Sequence, residues 1–221
     1  MTCDIARGTA PNWLNLLERR LGWIAVPHLA ILFVTLQAMG FLFVAMDPAW
    51  LARLMLIPEA VRAGEAWRVV TFLALPLSMS PLWLIFALWF SYFTFNLIES
   101  EWGAFRTTLY VLVYLVVTIL FSFGFDYPVT SVQSFATSMF LAAAALYPDL
   151  ELRLYLAIPV KMKVLGWLSL ALVGLQFVQV GWLGRFYLLA VYSNYLLFFG
   201  PAAFSSFRAW QRRRSFRAGT R

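Results

Sequence analysis

The sequence predicts an all-α membrane protein of six transmembrane helices with a long, semi-apolar first loop. Three observations lead there. Of 221 residues, 62% are hydrophobic and only 12% charged, against roughly 45–50% and about 25% in a soluble domain. The few charges are separated by uncharged stretches of bilayer length. The basic residues collect on one side of the implied topology.

The uncharged stretches are Leu21–Met46, Val69–Ile98, Thr107–Phe125, Tyr127–Pro148, Val164–Gly184 and Phe186–Phe207, of 26, 30, 19, 22, 21 and 22 residues. About 20 apolar residues cross a hydrocarbon core roughly 30 Å thick, so each stretch holds one span. Helices are expected near 25–46, 81–98, 105–124, 132–147, 163–181 and 185–200. The second stretch contains Pro76 and Pro81, and proline breaks a helix interior. Span two therefore starts at Pro81, with 69–80 outside the bilayer core or dipping into it. The apolar run of span one is too long for a cleavable signal peptide.

Six spans put both termini on one side. If that side is the cytoplasm, it carries 13 of the 17 basic residues, from Arg7 to Arg221. The other side carries Arg53, Arg62, Arg68 and Arg185. This is a positive-inside distribution. The acidic residues divide six to four, so the net charge of +7 lies on the cytoplasmic face. The basic tail Arg208–Arg221 reads as a stop-transfer flank that attracts anionic lipid, rather than as a nucleic-acid site.

The first loop, about 47–80, contains Trp50, Leu51, Leu54 and Met55 at helical spacing with Arg53 turned away. That pattern predicts a helix lying in the interface. The other loops are mostly short, which makes neighbouring spans antiparallel. A single cysteine, Cys3, and a single histidine, His28, exclude an intramolecular disulfide and a multi-histidine metal centre. No cofactor is expected.

Four motifs resemble a known family. Trp67-Arg68 ends the long first loop, and Glu99-Ser-Glu-Trp-Gly103-Ala-Phe-Arg106 joins spans two and three. Leu146-Tyr-Pro-Asp149 closes span four, and Ile158-Pro-Val-Lys161 follows. Six spans with this large first loop, a Trp-Arg pair within it and Glu-x-x-x-Gly-x-x-Arg after span two resemble the rhomboid superfamily over roughly residues 20–200. Physical roles stand beside the resemblance. Gly103 allows a turn that returns Arg106 to Glu99, giving either a buried clamp between two helix ends or a solvated surface pair. Arg68 offers five donors for irregular loop backbone, and Trp67 has a ring suited to the headgroup level. Alternatively both are plain interface anchors.

The resemblance implies a serine at the start of span four and a histidine on span six. Aligned on those motifs, the serine position holds Gln133 and the histidine position holds Asn194. An amide is neither nucleophile nor base near neutral pH, and a serine hydroxyl needs a base within reach. Ser131, Ser134 and Ser138 are nearby, but His28, Lys161 and Lys163 are assigned to the opposite face. Gln133 and Asn194 are expected to bond across spans four and six. The run Ser134-x-x-x-Ser138 with Ala142–Ala145 gives span four a smooth face for close helix approach.

The resemblance also implies a gap between spans two and five that opens toward lipid. Trp83, Phe86 and Phe90 share one face of span two, and Trp167 and Phe177 belong to span five. They form either a loosely packed client gate or a lipid-facing surface. The expected organisation is a cytoplasmic segment over 1–20, a rhomboid-like membrane domain over 21–202 and a basic tail over 203–221. The expected protein is a rhomboid pseudoprotease, similar in broad design to derlins and without enzymatic activity. It is expected in a bacterial inner membrane with both termini cytoplasmic. Its expected partners are membrane lipids and transmembrane clients, not nucleic acid, in quality control, trafficking or dislocation. Two alternatives remain: a serine hydrolase with an unorthodox site, and a small transporter or channel. The second would be expected to carry charges inside the spans, and none lies at the centre of a span.

Overall fold

The structure, a computed structural model, describes residues 18–20, 22–154 and 158–198. The basic tail and most of the N-terminal segment lie outside the described residues. The chain is mostly helical. Helix α1 runs over Leu29–Met46, and three short helices follow in the first loop: α2 Ala49–Leu54, α3 Pro58–Arg62 and α4 Arg68–Thr71. Helix α5 is Pro81–Phe125 and α6 is Gln133–Leu146. A hairpin of β1 Glu151–Leu154 and β2 Ile158–Lys161 leads into α7, Met162–Gln179. Residues 182–198 form α8.

Among the described residues, three stretches are long and apolar enough to cross a membrane: Gly22–Met46, Pro81–Phe125 and Met162–Gln179. The 45-residue α5 is two rods. Gly103 has φ 80° and ψ 165°, a conformation almost confined to glycine. The rings of Phe95 and Tyr114 lie 5.9 and 4.6 Å from that of Phe135. Nineteen residues of unbroken helix would hold Phe95 and Tyr114 about 28 Å apart. The chain therefore folds back at Gly103 into arms 81–102 and 104–125, each about 33 Å long and matched to a hydrocarbon core.

The sequence boundaries shift where local chemistry decides. Span one begins four residues later than expected, because His28 takes a left-handed conformation after Pro27. The Val26 N–H donates to Thr108 Oγ1 and the His28 N–H to Glu99 Oε1, both at 3.0 Å. Prolines open α3 and α5 at their first turns, where the missing N–H costs no helical bond. The interfacial helix predicted around Trp50 is α2, with Leu54 buried and Arg53 over the Trp50 ring at 5.2 Å.

The end of the first loop does dip inward. Gln37, fully buried in α1, donates from Nε2 to Leu73 O at 2.6 Å and accepts the Leu77 N–H at 3.0 Å. A Cβ on Gly40 would stand 1.7 Å from Ala74 O, so only glycine lets this turn approach. Phe72 and Leu75 are buried there. The loop is also tied to the α5–α6 connection by a bridge between Leu56 and Val129.

Helix α6 is the centre of the molecule. Phe135, Met139, Phe140 and Ala142–Ala144 are all buried, and α5 and α7 pack on it. The smooth face read from its small residues is used: a Cβ on Gly166 of α7 would come within 3.1 Å of Ala144. Beyond that contact α7 stands apart, with Trp167, Leu168, Leu172 and Val178 exposed. The β1–β2 hairpin pairs Glu151 with Lys161 and Leu154 with Ile158. The hairpin is not among the expected elements, although Leu152, Leu154 and Leu156 alternate with Arg153 and Tyr155, a period of two.

Candidate functional site

Two regions concern function: the ends of α6 and α8 where a serine and a histidine would meet, and the space between the first arm of α5 and α7. At the first, Gln133 opens α6 and is exposed. Its backbone N–H donates to Ser131 Oγ at 3.1 Å. Gln133, Ser131 and Ser134 line a cavity of 110 Å³ together with Tyr127, Gln176 and Tyr187.

Asn194 is not part of that cavity. It is 1% exposed, and its Nδ2 donates to Tyr110 O at 3.1 Å. The Tyr110 hydroxyl is in turn bonded to Ser138 Oγ. Asn194 is thus linked through Tyr110 to Ser138, over a turn along α6 from Gln133, and the expected Gln133–Asn194 bond is not formed. The reason is register: the second arm of α5 lies between α6 and α8 and supplies the partners to both. The residues of α8 that line the cavity with Gln133 and Ser134 are Gly184, Tyr187 and Leu188. Tyr110 and Tyr187 were not singled out from sequence. The signal was there for the first, since Tyr110, Tyr114 and Thr118 recur every four residues in an apolar span, and all three are fully buried.

Among the described residues, no histidine, lysine or carboxylate lines the 110 Å³ cavity. His28 lies at the start of α1, bound to Glu99 beside the Gly103 turn. Lys161 ends β2, and Lys163 pairs with Asp149 at 3.6 Å. Asp126 is held by Arg62 at 2.5 Å. His28, Lys161, Lys163 and Asp126 are thus all placed outside this cavity.

The Glu99–Arg106 clamp is also corrected. The turn at Gly103 does bring both residues to one end of the hairpin, but they do not pair with each other. Glu99 accepts the His28 N–H, and Arg106 reaches Glu18 at 3.4 Å. Both bind the chain leading into α1, because its unpaired N–H groups and carboxylate lie between them. The motif secures α1 on the hairpin. Arg68 acts as its donor count predicts. Its side chain is 8% exposed, it pairs with Glu65 and it donates to the carbonyls of Ala52 and Met55 at 2.5 and 3.0 Å. Trp67 points away and is 56% exposed.

Between the first arm of α5, α6 and α7 lies a cavity of 450 Å³, within the range of small-molecule sites. Trp83, Phe86 and Phe90 line it as expected for span two. From α7 the lining residues are Leu165, Leu168, Ser169 and Leu172. Trp167 and Phe177 are not among them. Trp167 is 73% exposed, and the Arg185 guanidinium lies 5.8 Å from the Phe177 ring. The helical period places 165, 168 and 172 on the face toward α6, and 167 and 177 off it. Ser78, Ser91, Thr94 and Thr137 add hydroxyls, and Gln133 an amide, to a largely apolar wall.

Among the described residues, no cluster of three or more His, Cys, Asp or Glu side chains is placed to hold a metal ion. Comparisons with protein-family models, with curated proteins and with solved structures give no match. Fold and composition define the class: a mostly helical, membrane-associated protein.

Proposed function

We propose that the chain is a rhomboid-like pseudoprotease: a six-span protein of the bacterial inner membrane, termini cytoplasmic, that binds transmembrane segments of client proteins and cleaves none. The 450 Å³ cavity carries this reading. It opens sideways between the first arm of α5 and α7, where a helix in the bilayer can present side chains. The exposure of Trp167, Leu168, Leu172 and Val178 supports α7 as a movable wall. The amide at position 133 and the absence of a base in the neighbouring cavity support inactivity. Such client binding is in keeping with a role in quality control or dislocation.

The test is photo-crosslinking in native membranes. Probes at Phe86 and Leu172, on the two sides of the cavity, should capture a single-span client. A probe at Leu120, 67% exposed on the second arm of α5, should capture lipid alone. Equal capture at all three positions would remove the case for the cavity. For inactivity, the purified protein in bilayers should yield no cleaved substrate and no fluorophosphonate adduct. An adduct on Ser131, Ser134 or Ser138 would overturn it.

A further inference from the structure

We propose that a pocket on the first loop binds the headgroup of an amine-bearing phospholipid, Arg53 taking the phosphodiester and Glu65 with Trp67 taking the ammonium. The pocket has a volume of 410 Å³ and is lined by Trp50, Arg53, Glu65 and Trp67. Its height in the bilayer follows from the chain. Helix α1 ends at Met46 and α2 begins at Ala49, so the pocket sits where α1 leaves the hydrocarbon. Trp50 and Trp67 are suited to that level.

The charges are arranged for a zwitterion. Arg53 is exposed, contacts the Trp50 ring and has no ion-pair partner among the described residues. Its planar fork matches two phosphate oxygens. Glu65 receives both Arg68 contacts on Oε2, at 2.6 and 2.5 Å, and Oε1 accepts no bond among the described residues. That oxygen and the exposed Trp67 ring are both complementary to an ammonium, the ring through cation–π attraction. Because Arg68 offsets Glu65, the pocket retains the positive charge of Arg53. Phosphate is therefore the anchor, and the amine discriminates among lipids.

A second observation assigns the ligand to a lipid rather than to a free phosphate ester. Met39, Leu42 and Met46 are exposed by 47%, 59% and 82%, and their spacing of three and four puts them on one face of α1. Within this stripe lies Phe43, whose ring stacks on Trp50 at 5.1 Å. An acyl chain lying along the stripe delivers its headgroup into the pocket.

The experiment is native mass spectrometry of the delipidated full chain titrated with phosphatidylethanolamine, phosphatidylglycerol and diacylglycerol of identical acyl chains. One phosphatidylethanolamine should be retained more tightly than phosphatidylglycerol, and diacylglycerol least. Arg53→Gln should weaken phosphatidylethanolamine about tenfold, equivalent to about 1.4 kcal/mol, with an unchanged melting temperature because Arg53 is exposed. Trp67→Leu should lower phosphatidylethanolamine toward phosphatidylglycerol and leave phosphatidylglycerol unchanged. Arg62→Gln, in the same loop but outside the pocket, should change neither. Equal retention of the two phospholipids, no effect of Arg53→Gln, or displacement of the lipid by equimolar free phosphoethanolamine would each overturn the proposal. None of these readouts depends on client capture at the lateral cavity.

Discussion

The Nδ2 of Asn194 donates to the main-chain carbonyl of Tyr110 at 3.1 Å, joining α8 to the second arm of α5 across 84 residues of chain. Its Oδ1 is buried without a hydrogen-bond partner. An unsatisfied buried acceptor costs about 1–3 kcal/mol, so this amide is a poor packing element that a nonpolar side chain can replace. Asn194→Leu is expected to melt within about 1 kcal/mol of the parent. Asn194→Asp puts an ionisable oxygen against a carbonyl oxygen in the core and should lower thermal stability by several kcal/mol. Unfolding in detergent followed by tryptophan fluorescence distinguishes the two. Equal stability of both variants would mean that water reaches this position.

Two arginines of the first loop differ in the same measurement. Arg68 is buried and binds Glu65 and two backbone carbonyls, so Arg68→Ala should cost about 3–5 kcal/mol. Arg68→Lys should not restore it, because one ammonium cannot reach three acceptors held in a fork. The Arg62–Asp126 pair has both side chains half exposed. Arg62→Ala should cost no more than about 1 kcal/mol, and less at high salt. A large loss for Arg62 would place the α5–α6 connection inside the protein rather than at its surface.

Gly103→Ala tests the hairpin. A Cβ at this position meets nothing within 4 Å, so overpacking cannot explain a loss. The left-handed backbone at φ 80° should alone cost about 1–3 kcal/mol. Unchanged melting would show that the turn can relax to an ordinary conformation.

For Glu99 and Arg106 the structure predicts independence. A double-mutant cycle between Glu99→Ala and Arg106→Ala should be additive within about 0.5 kcal/mol, since each binds a different group of the chain before α1. The cycle between Glu18 and Arg106 should show a small coupling, about 0.2–1 kcal/mol for a partly exposed pair. Coupling between Glu99 and Arg106 alone would restore the direct clamp.

Most of the helical pattern is legible in the chain because lipid permits so few charges. Gaps between charged residues marked the helices to within a few residues, and Pro81 marked the start of α5. The interfacial helix α2 was readable from Trp50, Leu51, Leu54 and Met55 because amphipathic period is a local property. The donor role of Arg68 was readable because a guanidinium leaving water must find acceptors. So was the aromatic face of Trp83, Phe86 and Phe90, which spacing alone puts on one side of a helix.

The candidate sites depended on relations between helices, which no local pattern contains. Spacing could not say that Glu99 and Arg106 would each find the segment before α1 closer than one another. Nor could it show that Asn194 is linked to Ser138 through Tyr110, because that residue belongs to a third element. The same holds for α7, where rotation about its axis turned Leu168 and Leu172 toward the cavity and left Trp167 and Phe177 outside. Length, boundaries and hydrophobic faces are determined by the sequence itself, through backbone sterics and transfer from water. Which polar groups meet was decided only in the tertiary structure, because rotation and depth follow from packing all the helices at once.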